Sequence, residues 1–482
     1  MIAASAAAEL AAAWPDPLEA GLAEAAAAGG LWLIAAPAPL APPAALLRVA
    51  IAAEAAVAWE PRDGGWAIAG AGAAAELRAD GPDRFAAIAR GAAGLWARLR
   101  GATLAVDGEL HARVALDRLD GLEVPAPRLV GGFAFAAGAR AAGWDAFGDA
   151  WFALPRWTYA RRGDRAWLIL AVDAGETADA DAARWRDERA AALAALAASA
   201  APGPARLVAV REPDDADWRR QVDDIRAAIA AGRCDKIVAA RASAVELADA
   251  IDPALVLARL DERHPDCTRF AIRPRAAGGG AATFVGATPE RLVRQRGLTV
   301  ETEALAGSIA RSGAGAVAAA ASRLLASDKD RSEHDLVVQA IAATLGPRCA
   351  ELDVPATPVV RSLRHVLHLH TSVNGRLAAP GHILELVDAL HPTPAVGGTP
   401  TPDALAWIAA HEPPRGWYAA PVGWFDAAGD GDFAVAIRSG LLDGTRAQVW
   451  AGAGIVRESD ADAELAEVRL KQRALMGALG VL

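Results

Sequence analysis

The chain reads as an α+β fold built on antiparallel sheets. Strand-like runs are joined by short turn signals rather than long crossovers, and residues 417–456 read as a β-meander. Helical periods are interspersed among the strands without the regular strand–helix alternation of a doubly wound parallel sheet.

Taken in order, residues 1–14 are Ala-rich and read as a short helix; no Lys or Arg precedes the apolar part, so they lack the charged start of a secretory signal. Residues 25–47 carry no charge, but Pro37, Pro39, Pro42 and Pro43 would break a membrane helix. A buried strand over 31–34 followed by a loop is expected instead. Strands over 66–69 and 104–106 alternate with helical stretches up to about residue 200. Gly70 and Gly72 faintly resemble a dinucleotide loop, yet no acidic residue follows where a βαβ unit needs one. After a helix over 181–200, Pro202 and Gly203 mark a seam dividing 1–200 from 201–482.

Beyond the seam the pattern sharpens. Asp215 can cap a helix whose Trp218, Val222, Ile225 and Ile229 share one face, and Gly232 can end it before a strand over 236–245. Lys236 thus stands at a strand entrance. A strand over 283–286 runs into the turn 287–290 and on to 291–293, so Glu290 projects from a turn. Ser327 can cap a helix to about 345; a strand over 366–373, a hairpin signal at Asn374-Gly375 and a helix over 382–390 follow. After the meander, 462–479 form the last helix.

Composition narrows the function. The 482 residues hold 49 Lys and Arg against 59 Asp and Glu, a net charge of −10, which argues against a nucleic-acid binder. With 54% hydrophobic and 22% charged residues the ratio is globular. Cys234, Cys267 and Cys349 are too few and too scattered for a disulfide framework or metal knuckle, so a reducing, cytoplasmic setting is expected. The only lysines are Lys236, Lys329 and Lys471; every other basic residue is Arg. A surviving Lys is then a candidate for work Arg cannot do, because Arg stays charged while Lys can lose a proton. Three chance survivors are the other reading.

Two helices carry acids three residues apart, Asp330 with Glu333 and Glu464 with Glu467, which puts each pair on one helix face. Facing each other across a cleft they would make an oxygen-rich magnesium site; apart, they are two solvated faces. Lys471 lies one turn beyond Glu467. The stretch Ala451-Gly452-Ala453-Gly454 offers bare backbone to an anion or simply a tight strand crossing, and Arg438 can pair with a carboxylate. His365, His368 and His370 lack the carboxylate spacing of a zinc site, and Asp426, Asp430 and Asp432 read as a hairpin turn rather than a calcium loop.

Six segments occur in a recognisable order: Cys234-Asp235-Lys236-Ile237-Val238-Ala239-Ala240-Arg241, Gly286-Ala287-Thr288-Pro289-Glu290-Arg291-Leu292, Thr302-Glu303-Ala304-Leu305-Ala306-Gly307-Ser308, Ser327-Asp328-Lys329-Asp330-Arg331-Ser332-Glu333-His334, His391-Pro392-Thr393-Pro394-Ala395-Val396-Gly397-Gly398 and Ala451-Gly452-Ala453-Gly454-Ile455-Val456. This order resembles the chorismate-utilising enzymes, and among them the isochorismate synthases. The resemblance is strong from about residue 210 onward and weaker before, where Gly131-Gly132-Phe133-Ala134-Phe135 and Phe152-Ala153-Leu154-Pro155-Arg156 carry it.

It implies two large packed antiparallel sheets with helices outside, one integrated fold with the active site in a cleft between the sheets. It further implies that Glu333 and Glu467 bind Mg2+ with Asp330 and Glu464 in support. Arg438, Tyr418, Lys471 and the backbone at Gly307, Gly452 and Gly454 would bind the substrate's carboxylates, and His368 and Thr393 would line its ring. Lys236 matches the family's base and Glu290 its acid, for a reaction in which water attacks ring C2 as the C4 hydroxyl leaves. The desolvation expected at a strand entrance and in a turn suits both roles.

Anthranilate synthases usually lack this Lys and differ around Ala304-Leu305-Ala306-Gly307; aminodeoxychorismate synthases attack C4. Salicylate synthases share Lys236, Glu290 and the acids, then eliminate pyruvate, and stay as the alternative. A non-catalytic chorismate-binding relative would have lost one of Lys236, Glu290, Glu333 or Glu467, and all four are present. Val468 and Arg469 depart from the commoner Thr-Glu after the metal Glu. The resemblance implies chorismate as substrate, no membrane partner and a monomer, and leaves menaquinone or siderophore biosynthesis open.

Overall fold

The computed structural model describes residues 16–52, 55–139, 141–198, 206–275, 282–311 and 317–481. The expected helix over 1–14 and the seam at Pro202 and Gly203 lie outside them.

The strands make two mainly antiparallel sheets that meet at the long strands Ala67–Ala79 and Ala150–Arg162; the one parallel pair among the described residues is Leu31–Pro37 with Leu99–Val106. One sheet runs, neighbour to neighbour, through Leu207–Arg211, Lys236–Leu247, Arg446–Ile455, Ser439–Asp443, Thr283–Thr288, Thr268–Arg273, Ala56–Glu60 and Ala67–Ala79 to Ala150–Arg162. The other continues from Ala150–Arg162 through Arg128–Phe133, Pro421–Asp426, Gly431–Val435, Arg291–Arg296 and Thr299–Ala310 to Val366–Leu377. The long strand Ala150–Arg162 changes sheet along its length. Its residues 150–153 pair with Arg128–Phe133, and 157–162 pair with Arg165–Asp173. Pro155 lies between, opposite a register shift at Ala73 and Ala75, the kind of irregularity that lets a strand turn a corner. Strands from either side of residue 200 therefore pair directly, Ala56–Glu60 with Thr268–Arg273 and Arg128–Phe133 with Pro421–Asp426.

Alternation along the strands sorts side chains into two cores. In Thr283–Thr288, Phe284 joins Phe133, Phe152 and Phe433 in one apolar cluster, whereas Val285 and Ala287 join Leu257, Leu260 and Leu475 in another. Helices Pro253–Arg263 and Ala461–Ala478 supply that second set and cover the first sheet. Helix Asp328–Leu345 covers the strand Thr299–Ala310 of the second sheet.

Two short links carry the chain between the sheets and fix where a site can form. Residues 289 and 290 join Thr283–Thr288 to Arg291–Arg296, and residues 436–438 join Gly431–Val435 to Ser439–Asp443. The links lie side by side: Val435 N donates to Glu290 O at 3.1 Å and Ala287 N to Arg438 O at 3.3 Å.

Local expectations meet mixed outcomes. Ser327 does cap Asp328–Leu345, accepting from Asp330 N at 3.2 Å. The cap of helix Asp215–Ala230 is Asp214, not Asp215, because the Asp215 carboxylate is engaged by Arg241 and Arg469. Asn374-Gly375 is no hairpin; it sits inside Val366–Leu377, paired on both edges with Thr299–Ala310 and Cys349–Asp353. The missing side chain of Gly375 admits Cys349 Sγ, which would lie 2.9 Å from a Cβ there. A 3-10 helix, Pro43–Ala52, replaces part of the loop expected after the first strand. The meander is two hairpins in different sheets, divided by the 436–438 link. Among the described residues, no helix is long and apolar enough to cross a membrane.

Candidate active site

Glu290 and Arg438 occupy the two links, so both project where the sheets part. Glu290 is 4% exposed. Burial, and then the neighbouring Glu303 charge, push its carboxyl up to about 8, so it holds a proton at neutral pH. Arg438, at φ +51°, donates from Nη2 to His368 Nε2 at 2.9 Å. Arg has no acceptor atom, so His368 Nε2 must accept and Nδ1 carries the hydrogen, which it donates to Ser308 Oγ at 3.0 Å. Burial and Arg438 hold His368 well below its ordinary range, consistent with this neutral ring.

Lys236 opens the strand Lys236–Leu247, 0% exposed, and donates from Nζ to Glu333 Oε1 at 2.8 Å. Burial raises the Glu333 carboxyl, but Lys236, Lys471 and Lys329 outweigh it and hold it below its ordinary value. Gly454 makes room for this pair: a Cβ there would lie 2.6 Å from Glu333 Oε1 and 2.7 Å from Lys236 Cε. On the last helix, Lys471 Nζ meets Glu467 at 2.7 Å and donates to Gly452 O at 2.9 Å. Lys329 Nζ donates to Glu464 at 3.0 Å and so ties the two acidic helices together. Each of the three lysines thus meets one acid of the two pairs.

The remaining positions shape the walls. Gly307, at φ +75°, forms a bulge opposite Leu369 and His368, and Asp330 supports it by accepting from Ser308 N at 3.3 Å. Tyr418 is buried and stacks on Trp450, its ring centroid 6.1 Å away.

These groups line a partly open cleft where the two sheets part. Of the expected site residues, Glu290, Gly307, Glu333, His368, Tyr418, Arg438, Gly452, Gly454, Glu467 and Lys471 are on its wall. Lys236 lies just behind, against Glu333 and Gly454. Asp330 and Glu464 face a backbone amide and Lys329 rather than the cavity. Thr393 is buried but not on the wall. Its carbonyl is bonded by Val396 N and Gly397 N, a turn that presents Ala395 and Val396 instead.

Sequence reading missed Arg415, on the wall and bonded to Val396 O, Val238 O and Glu412. It is one of many arginines, and its one local signal is Glu412 three residues before it. Glu303 was silent, although it lies within the segment 302–308.

The donor set suits a hard divalent cation. Glu333 and Glu467 bring two carboxylates to one wall, and among the described residues no three acidic, His or Cys side chains cluster as a closed cage. Magnesium is commonly held by one or two carboxylates with substrate oxygens and water, so two fit it better than they fit a structural zinc.

Comparison with known proteins agrees with this geometry. The family described as chorismate binding enzyme matches residues 23–480. The salicylate biosynthesis isochorismate synthase of Pseudomonas aeruginosa is 41% identical over 419 residues, covering 85% of this chain and 82% of its own. Isochorismate synthase MenF of Bacillus subtilis is 35% identical over 73% of this chain and 75% of its own. The solved structure of MenF, the menaquinone-specific isochorismate synthase from Escherichia coli, superposes with TM-score 0.74 at 27% identity, covering 94% of this chain and 95% of that one. Anthranilate synthase component I from Streptococcus pneumoniae superposes at 0.62 with 20% identity, over 86% and 93% of the two chains, a likeness of fold alone.

Proposed function

The chain belongs to the chorismate-binding enzymes, and on that premise we propose that it is an isochorismate synthase, a magnesium-dependent isomerase acting on chorismate. The observation that carries this reading is the convergence on one cavity of a carboxyl that keeps its proton, Glu290, with a buried amine, Lys236, directly behind the wall.

In the reaction, water adds its hydroxyl at ring C2, the double bond shifts, and the C4 hydroxyl departs. Glu290 gives the departing hydroxyl its proton, and Lys236, once it has lost the proton that pairs it with Glu333, takes the proton of the attacking water, so composition is unchanged. Arg438 and Lys471 bring positive charge to a wall suited to a dicarboxylate, and the neutral His368 offers a flat face while its two nitrogens stay engaged by Arg438 and Ser308. Glu333 and Glu467 would hold the magnesium, which when bound supplies charge neutralisation for a substrate carboxylate. We place the enzyme in the cytoplasm, where the unbridged Cys234, Cys267 and Cys349 stay reduced.

The test is incubation with chorismate and magnesium followed by product chromatography. Isochorismate that disappears in excess chelator is expected. Salicylate, anthranilate in the presence of ammonium, or full turnover in chelator would overturn the corresponding part of the proposal.

A further inference from the structure

Behind the Glu290 link lies an ionic cluster with no part in the chemistry above. Glu303, on Thr299–Ala310 and 6% exposed, receives Arg62 Nη2 at 2.7 Å and Arg361 Nη1 at 3.2 Å, and His370 Nε2 lies 2.9 Å from the same Oε2. Its other oxygen accepts from Arg291 N at 2.7 Å. Arg62 and Arg361 also donate to Pro289 O, Arg361 at 3.1 Å. Both peptide units flanking Glu290 are therefore anchored to this cluster. Arg62 follows a strand of the first sheet, and Arg361 belongs to Val359–Ser362 beside the second, so the cluster fastens the link from both sides.

We propose that Glu303 is a positioning residue for Glu290, holding the link in place through the Arg291 amide and setting a fixed negative charge behind the Glu290 carboxyl. The inference rests on the acid role given to Glu290. Burial alone would neutralise Glu303, but the His370 hydrogen bond and Arg62 outweigh it and keep it ionised. That charge opposes ionisation of Glu290. The other charged or titratable groups facing Glu290 are Lys236 from its strand, Lys471 from the last helix, Arg438 from the second link and Tyr418. The three cations favour the ionised carboxylate, so Glu303 counters them. Without Glu303, Arg62 and Arg361 would add to their pull.

The deciding measurement is an infrared titration of the protein with magnesium and no chorismate, following the protonated carboxyl band that Glu290→Gln removes. In wild type the band should fade around pH 8. In Glu303→Gln its midpoint should fall by about one pH unit or more, and the alkaline limb of kcat should move down with it while KM changes less. A folded Glu303→Gln with the wild-type midpoint overturns the inference, since a merely structural role would lower stability without moving it. Should that variant fail to fold, Glu303→Asp decides: it keeps the charge but withdraws it from the Arg291 amide, so kcat should drop several-fold near wild-type KM, and wild-type kcat overturns the inference. If wild type leaves chorismate unchanged, the functional proposal fails, yet the titration still tests the pairing.

Discussion

Keeping a proton on Glu290 has a cost that the whole protein bears. The carboxyl moves from an ordinary 4.5 to about 8 on folding, so between those pH values the unfolded chain is ionised and the folded one is not. Stability contributed by this group is therefore lost as pH rises from about 4.5 to about 8. Glu290→Gln should accordingly gain on the order of 2 kcal/mol of stability at neutral pH and nothing near pH 4, while kcat falls by about 10²-fold or more. Denaturant titrations at the two pH values check this, and a variant no more stable at neutral pH contradicts it. Lys236→Met keeps the length of the side chain and removes the amine. It should lower kcat by about 10²-fold or more with KM changed far less, and near wild-type turnover would remove the base role. Lys236 was legible as one of three lysines in a chain that otherwise uses Arg, and its partner Glu333 as one member of an acidic pair and through the family resemblance.

At the scale of elements, the active site depends on strand backbone that carries no side chain. In Arg446–Ile455, Gly454 stands over Lys236 and Glu333. Gly454→Ala should keep a thermal melt within a few degrees of wild type while lowering kcat by about 10-fold or more, because both side chains must shift to clear the methyl. A fully active variant would show that their placement is not what turnover requires. The helices were readable because their signals are local: Ser327 caps its helix as expected, and Trp218, Val222, Ile225 and Ile229 are buried together. Asn374-Gly375 misled because a turn-forming dipeptide also suits a strand approached closely on both sides. Nothing local in Arg62 or Glu303 announces the other, since the two pair across the chain from far apart in sequence.

For the molecule as a whole, the decisive feature is that strands pass between two sheets. Antiparallel pairing followed from hairpin signals, but the corner at Pro155 and the two adjoining links follow from tertiary closure, which no periodicity records. The first sheet places Lys236 and Gly454, the second places Gly307 and His368, and the links place Glu290 and Arg438 between them. Two facing helices complete the wall with Glu333, Glu467 and Lys471. The proposed function requires this cavity to direct water to ring C2 of chorismate. It is tested most directly by turnover in ¹⁸O-water with magnesium, reading the product by mass spectrometry and carbon NMR. The predicted product is isochorismate bearing one heavy oxygen, at C2 alone; isochorismate without the label would contradict the mechanism.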